Sequence, residues 1–445
     1  MFKFAVMEMK VESGTYGLLK FRLSLMVFLE YAVWGTYLIS IGMFLSSVGL
    51  GSRIGWFFAA QGITSLFMPA LCGIIADRYL RADRLLSLCH TVSAVFMGIA
   101  ALSCSRGDYG FPSIFIPFSM GVLFFVPTIS LSNTVCFSLI EGQGRDSAVE
   151  FPHIRVWGTI GFICSMWAVN FMGISTSYRQ LVFRTVMGFV MALYCLSLPS
   201  CGRAGRSAGQ GLASAMGYKG FRLFRRKEMA LFFLLSMGFG VCLHISNGFA
   251  GPFLDSFALD DEYAGSLLVG NSMFVLSLSQ ISEALCVLLI PFCIRRFGVK
   301  RVFLAAALAW MVRYLLLAFG NPGGGAWMLV LSMVMYGLAF DFFNVASSIY
   351  VDKNTSPDRR ASAQGVLVMM TSGFGASIGM LAVQYVVNLF TYSQGVGGRF
   401  YTLGNWRGAW LVFAAFALLL YILMKLLFKE TKDPENGKEQ QEDRA

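Results

Sequence analysis

Two acidic residues stand deep inside long apolar runs of the sequence. They are Glu283 and Asp341, and a charge at the centre of a bilayer costs about 2.5–3.5 kcal/mol even on insertion scales. Each therefore needs a partner or a water-filled cavity, and each is a candidate for binding and releasing a proton. The two acids therefore predict a protein that binds and releases a proton or another ion within its apolar spans.

Other polar residues share helical faces with aromatic ones. Arg155, Thr159 and Phe162 follow an i, i+4, i+7 spacing, which puts a cation, a hydroxyl and an aromatic ring on one stripe of a helix. Similar spacing recurs at His244 and Asn247, at Gln280 and Glu283, and at Tyr336, Phe340 and Asn344. Such stripes predict a cavity that offers both stacking surfaces and hydrogen-bonding groups to a small polar molecule.

The composition places these residues in a membrane. The chain has 445 residues, of which 56% are hydrophobic and only 13% charged, against about 25% charged in soluble domains. Its net charge of +11 comes from Lys and Arg between apolar runs, so we predict no nucleic-acid partner. The ten cysteines show no paired spacing and no metal motif, and are predicted to pack in the core.

Apolar runs of about 20 residues or more predict twelve spans, and a chain that lies in the lipid bilayer. The spans lie near residues 22–48, 53–78, 84–104, 111–140, 152–173, 179–200, 229–254, 263–294, 301–319, 326–350, 361–391 and 405–428. Basic segments at 78–84, 295–301 and 353–360 alternate with acidic or uncharged ones such as 255–262. The positive-inside rule then predicts that both termini are cytoplasmic.

The longest internal linker divides the spans into two sets of six. We predict an N-terminal six-helix bundle at 1–200, a cytoplasmic linker at 201–228, a C-terminal six-helix bundle at 229–428 and a disordered cytoplasmic tail at 429–445. The fold class is thus an all-α polytopic membrane protein.

A loop signature follows the second predicted span, in the segment from Gly73 through Asp77 and Arg78 to Arg81, with a weaker echo at 295–301. Its spacing resembles the G-x-x-x-D-R-x-x-R/K loop of the major facilitator superfamily, whose members are built from repeats. Asp77 is suited to pairing with basic groups at a neighbouring helix end. Such a pair would hold the two halves closed on the cytoplasmic side in one state of the protein. The alternative is a positive-inside anchor with an incidental Asp.

Four segments narrow the resemblance to one family. They are Phe151–Phe162, Ser279–Glu283, Tyr336–Asn344 and Ala361–Gly365, and they resemble the bacterial nucleoside:proton symporters of that superfamily. The similarity covers nearly the whole chain except the termini and the middle linker. It implies proton-coupled nucleoside uptake across the bacterial cytoplasmic (inner) membrane by a protein without a cofactor, and we expect a monomer.

The resemblance also assigns roles. It places at the substrate Arg155, Thr159, Phe162, Asn247, Gln280, Glu283, Tyr336 and Phe340, and we add His244. We expect Asp341 or Glu283 to carry the coupled proton. Each residue has an alternative role: Arg155 reaching the membrane surface, the aromatic rings packing in the core, and Asn247 and Gln280 forming hydrogen bonds between helices.

Two residues depart from the family pattern. His244 stands where glutamine is more usual, which changes the pattern of donors and acceptors and leaves base preference open. Glu30 also stands where relatives more often carry glutamine, so we predict an additional protonatable group there. The alternative for Glu30 is a carboxylate paired with an arginine, or a protonated one against a neighbouring backbone.

Two other classes of function compete: an exporter of the same fold, and a membrane-embedded enzyme or a receptor. The receptor stays an open alternative in the sequence, and uptake into vesicles under a pH gradient separates it from a carrier. A drug or metabolite exporter of the same fold often carries a Gly-Pro motif in the fifth span, and residues 156–171 contain no proline. A membrane enzyme is expected to show a nucleophile-base set, a metal cluster or a phosphate loop, and His90, His153 and His244 belong to no such motif. We therefore predict no catalytic site and no metal site.

Overall fold

The computed structural model describes residues 2–201, 222–355 and 360–428, without the side chains of residues 2–15, 77, 148, 222 and 361. In the first half the helices are α1 (Phe2–Gly35), α2 (Ile41–Ser47), α3 (Ile54–Arg78), α4 (Ala82–Ser105), α5 (Phe111–Glu141), α6 (Ser147–Phe171) and α7 (Arg179–Ser197). In the second half they are α8 (Lys227–Ser256), α9 (Leu267–Gly270), α10 (Ser272–Cys286), α11 (Ile290–Phe297), α12 (Val299–Phe319), α13 (Ala326–Lys353), α14 (Arg360–Val368), α15 (Met380–Phe390) and α16 (Trp406–Leu427). The linker residues 202–221 and the tail 429–445 lie outside the described residues.

Eleven of the described helical segments are long and apolar enough to cross a membrane. They correspond to the second through twelfth predicted spans, so the polytopic α-helical fold is confirmed, while the count of twelve stays a prediction. The first predicted span, 22–48, is divided between α1 and α2 by turns at residues 36–40. Hydroxyl-to-carbonyl bonds from Thr36 to Val33 and from Ser40 to Thr36 accompany this break.

Two other segments differ from the sequence prediction. The eighth span begins at Ser272 rather than near residue 263, because the one-turn helix α9, capped by the side chain of Ser266, stands apart from α10. In the eleventh span, residues Met369–Gly379 form a π-helical segment between α14 and α15. This wider stretch contributes Thr371 and Ser372 to the central cavity described below.

A β-hairpin follows α15 and was not predicted. Strands β1 (Thr391–Val396) and β2 (Arg399–Gly404) pair antiparallel. Gly397 and Gly398 make the two-residue turn with φ of 60° and 79°, the left-handed backbone that such tight turns need. The Gly-Gly pair between two short runs rich in Tyr, Thr, Phe and Val was the available sequence signal.

Helices of each half pack mainly against one another. In the first half α1 packs on α6, and α4 packs on both α5 and α7. In the second half α12 packs on both α13 and α16. Contacts of α3 with the π-helical segment and of α6 with α10 join the halves. The cavity lies between them.

Candidate substrate cavity

A cavity of about 480 Å³ lies between the two halves of the molecule. All nine residues predicted to contact the substrate line its wall: Arg155, Thr159, Phe162, His244, Asn247, Gln280, Glu283, Tyr336 and Phe340. The wall therefore draws on α6 from the first half and on α8, α10 and α13 from the second. The volume falls in the range of about 300–1,000 Å³ that is typical of small-molecule sites.

The α6 stripe faces aromatic residues of α1. The guanidinium carbon of Arg155 lies 4.1 Å from the ring centre of Tyr31, a cation–π contact that holds the cation at the cavity wall. Phe162 meets Trp34 edge to face, with ring centres 5.9 Å apart. This side of the cavity thus supplies one cation, one hydroxyl from Thr159 and a set of stacking surfaces.

His244 and Asn247 extend from α8 into the cavity. The His244 side chain is only 6% exposed, yet neither ring nitrogen has a hydrogen-bond partner among the described residues. Buried polar atoms are paired in the great majority of cases, so unpaired atoms on a cavity wall point to a bound molecule or water. The Tyr336 hydroxyl donates to Asn247 Oδ1 over 3.5 Å, a long bond that leaves amide capacity for a ligand.

Gln280 and Glu283 of α10 lie beside two aromatic rings of α13, Tyr336 and Phe340, whose planes are tilted by 33°. The ring centres of Tyr336 and Phe340 lie 5.9 Å apart. The Ser282 hydroxyl donates to the Val334 carbonyl at 2.5 Å, which ties the two helices together beside Glu283. This face combines a carboxylate, an amide and two aromatic surfaces.

Asp341 lies behind this wall and does not line the cavity. It is 3% exposed, and its Oδ2 atom has no hydrogen-bond partner in the described part of the chain. Both Glu283 and Arg155 are within electrostatic range of its carboxylate. One carboxylate on the wall and another just behind it, with one guanidinium near both, form a compact group that can exchange a proton for an ion pair.

Glu30 is not among the residues that line the cavity, although its chain neighbour Tyr31 is. Glu30 is fully buried in the first half, where His90 Nε2 lies 2.7 Å from its Oε2 atom and the Thr128 hydroxyl donates to its Oε1 atom at 2.5 Å. The fully buried Arg184 is within electrostatic range of the same carboxylate. Sequence reasoning placed Glu30 correctly inside an apolar run but did not identify these partners.

The loop signature is only partly described. Gly73 lies within α3, the side chain of Asp77 is outside the described set, and Arg78 is exposed. Arg81 pairs with Asp83, with Nη2 2.6 Å from Oδ2. The gating role of Gly73, Asp77, Arg78 and Arg81 therefore stays a prediction.

Several polar residues of the site were missed by sequence reasoning. Trp34 Nε1 and Asn133 Oδ1 are buried on the cavity wall without partners among the described residues. Arg313 supports the wall from behind: its Nε and Nη2 atoms donate to Ser246 Oγ, and its guanidinium carbon lies 5.0 Å from the ring centre of Tyr336. An arginine or asparagine inside an apolar run is the signal that would have drawn attention to them.

Within the described residues, no group of three or more His, Cys, Asp or Glu side chains is placed to hold a metal ion. What the site does present is a largely apolar and aromatic cavity that carries several polar groups and is enclosed by two sets of long apolar helices. That arrangement defines a membrane carrier. The solved structure of a D-xylose–proton symporter shares the fold, with a TM-score of 0.65 and 14% identity over 93% of this chain and 99% of the other.

The sequence model of the nucleoside H+ symporter family matches residues 18–433, and the chain belongs to that family. It is 37% identical to nucleoside permease NupG of Escherichia coli over 92% of this chain and 96% of the permease. It is 39% identical to the xanthosine permease of the same organism over 94% and 97% of the two chains. A solved structure of the nucleoside transporter NupG superimposes with a TM-score of 0.83 at 36% identity, covering 93% of this chain and all of the other.

Proposed function

We propose that this protein takes up nucleosides together with protons across the bacterial inner membrane by alternating access. The observation that carries the proposal is the cavity itself, in which nine residues selected from the sequence converge from both halves. A site between two halves can face either side of the membrane when the halves rock about it. Membership of the nucleoside H+ symporter family indicates that the substrate is a nucleoside and that the coupling ion is a proton.

The chemistry of the wall suits a nucleoside. A base needs flat apolar surfaces, which Phe162, Tyr336 and Phe340 offer, and a ribose needs paired donors and acceptors. Asn247 and Gln280 supply amides that both donate and accept. His244 adds two ring nitrogens without partners among the described residues, so this position contributes to the choice of base.

For proton coupling we propose the pair Glu283 and Asp341, with Arg155 as the cation that either carboxylate attracts when deprotonated. Arg155 and Glu283 line the cavity, and Asp341 lies behind them within electrostatic range of both. A bound substrate and a bound proton can therefore influence each other over a short distance. Glu30 is the third candidate. Glu30 does not line the cavity and its carboxylate is bonded to His90 and Thr128 within the first half, so we rank it below the other two acids.

The topology completes the proposal. We infer two six-helix bundles at 1–200 and 229–428, joined by the linker 201–228, with both termini and the tail 429–445 in the cytoplasm and the carrier working as a monomer in the bilayer. The charge alternation between spans supports this orientation.

Uptake into vesicles of the purified protein tests the function. With an imposed inward proton gradient, labelled uridine should accumulate above its outside concentration, and an ionophore that collapses the gradient should abolish the accumulation. Unlabelled nucleosides should compete strongly, while free bases, free sugars and nucleotides should not. Strong competition by free bases or sugars alone, or efflux of unrelated drugs against the same gradient, would contradict the proposal.

A further inference from the structure

The two halves are joined by polar contacts at one end of the molecule. We call this the outer end; it carries the segments 48–53, 171–179 and 390–405 and lies opposite the basic segments 78–84 and 295–301. On one side Trp167 Nε1 donates to Ser277 Oγ at 2.8 Å, and Asn170 Nδ2 donates to Asn271 Oδ1 at 2.9 Å. A second and denser set of contacts involves α15 and the β-hairpin.

The side chain of Gln384 in α15 forms hydrogen bonds with the backbone at the start of α3 in the other half. The Gly55 N–H donates to Gln384 Oε1 at 2.6 Å, and Gln384 Nε2 donates to the Gly51 carbonyl at 3.2 Å. Asn388, one turn later, donates to the Ser52 carbonyl at 3.1 Å and accepts from Gln384 at 2.8 Å. The first N–H groups of a helix lack partners within it, so Gln384 acts as a helix cap supplied by the opposite half.

The β-hairpin reaches across to the same region. Thr402 of β2 is buried against Ser46 of α2, with the two hydroxyl oxygens 2.6 Å apart. A side chain at Gly51 would collide with the Thr402 hydroxyl, and the Phe400 ring would touch one at Gly49 at 3.5 Å. The lack of a side chain at Gly51 therefore lets the hairpin pack closely on the first half, while Gly49 is favoured by its left-handed backbone, with φ of 83°.

The hairpin is held by its own half as well. Arg399 of β2 forms an ion pair with Asp255 of α8, and Trp406 Nε1 donates to the Thr402 carbonyl at 3.0 Å. Because these contacts join residues of the second half, the hairpin is expected to move with that half when the two separate. Its contacts with Ser46 and with the segment from Gly49 to Gly51 must then break.

We propose that Gln384 and the Thr391–Gly404 hairpin form an outer clasp, which closes the entrance to the cavity from the outer end and must open before substrate enters there. Gln384, Ser46 and Thr402 are buried in this closed arrangement, and their hydrogen bonds can be exchanged for bonds to water when the halves separate. The clasp can therefore form and break repeatedly. This inference rests on the proposed function, because only a carrier that alternates between two sides needs the clasp to open.

A reversible cross-link tests the clasp. Ser46→Cys with Thr402→Cys replaces the two touching hydroxyls by thiols placed to form a disulfide, and peptide mapping reports whether the bond forms. Oxidation should lower nucleoside uptake at least ten-fold relative to the reduced form, and a reductant should restore it. Uptake by the reduced form tests the proposed function separately, and the unmodified chain corrects for its ten native cysteines.

The matched control keeps the same Thr402→Cys change but moves its partner. Ser393 is opposite Thr402 across the hairpin, so Ser393→Cys with Thr402→Cys links β1 to β2 within one half. Uptake by this variant should be equal before and after oxidation. A complete disulfide between positions 46 and 402 with uptake within two-fold of the reduced form would overturn the proposal, as would failure of that disulfide to form.

A second measurement does not depend on nucleosides. Gln384→Ala should open the clasp more often, so a cysteine placed in the cavity wall by Ser65→Cys should react at least three-fold faster with a membrane-impermeant maleimide added from the outer side. The control is Gln364→Ala, since Gln364 bonds to the Ser348 carbonyl of its own half. An unchanged labelling rate in the Gln384 variant would overturn the clasp even if transport is confirmed.

Discussion

Glu30 and His90 form a fully buried pair in which the imidazole Nε2 atom lies 2.7 Å from the carboxylate Oε2 atom. The Thr128 hydroxyl donates to the other carboxylate oxygen, and Arg184 supplies a nearby positive charge. A carboxylate and a guanidinium together are neutral, which is the cheaper state in a medium of low dielectric constant. The cluster joins α1, α4, α5 and α7, so it is suited to holding the first half together.

Glu30→Gln is therefore expected to lower the melting temperature while leaving proton-driven accumulation in place. Glutamine removes the negative charge that lies near the fully buried Arg184, and leaving a buried charge uncompensated typically costs about 3–5 kcal/mol. Thermal unfolding followed by fluorescence, and accumulation in vesicles, measure the two effects. Glu150→Gln is the control, since its pair with Lys20 is partly exposed and should matter less. Lost accumulation with an unchanged melting temperature would make Glu30 a proton carrier instead.

Asp341→Asn is expected to abolish accumulation against a gradient while nucleoside binding persists, because Asp341 lies behind the cavity wall. Glu283→Gln should lose accumulation and also weaken binding, since Glu283 lines the wall. Vesicle accumulation and calorimetric titration separate the two effects. Asp352→Asn on the same helix α13 is the matched control, because the Asp352 side chain is about half exposed and pairs with Arg360 at 3.4 Å. If both acid variants still accumulate nucleoside, neither residue couples the proton.

The parts of the fold and of the site that depend on helical periodicity could be predicted from the sequence. Long apolar runs located the helices, and the i, i+4, i+7 stripe of Arg155, Thr159 and Phe162 did face the cavity, because helical spacing alone determines which residues share a face. The partner of Glu30 could not be predicted in this way. His90 lies 60 residues away, and nothing in the local pattern of either residue indicates their contact.

The same limit applies to contacts between the halves. Gln384 reads as one more polar residue in an apolar run, and only the packing of α15 against α3 shows that it caps a distant helix. Thr402 likewise belongs to a hairpin whose turn was visible in the sequence, but it packs on Ser46, which lies 356 positions away in the chain. Such pairings are set by tertiary packing, which overrides local signals.

His244→Ala is expected to weaken nucleoside binding about ten-fold. The ring nitrogens have no partners among the described residues, and a hydrogen bond to a ligand contributes about 0.5–1.5 kcal/mol. His244→Gln should recover affinity and change the order in which purine and pyrimidine nucleosides compete, because an amide presents donor and acceptor on one edge whereas an imidazole presents its nitrogens on two. Competition binding measures both. His153→Gln, at an exposed histidine of α6, should change neither, and an unaltered affinity in His244→Ala would exclude contact with the substrate.

Gly337→Ala is expected to disturb the site without touching the substrate. A side-chain carbon at Gly337 would lie 2.5 Å from the backbone of Ser282, so α13 and α10 would have to separate next to Glu283 and Asp341. Overpacking of this kind costs about 1–3 kcal/mol, and the widened gap should raise the KM for uptake as well as lower the melting temperature. Gly365→Ala is the matched control, because no described atom lies within 4 Å of a side-chain carbon there. If Gly337→Ala behaves like that control in both measurements, the close approach of the two helices does not set the geometry of the acid pair.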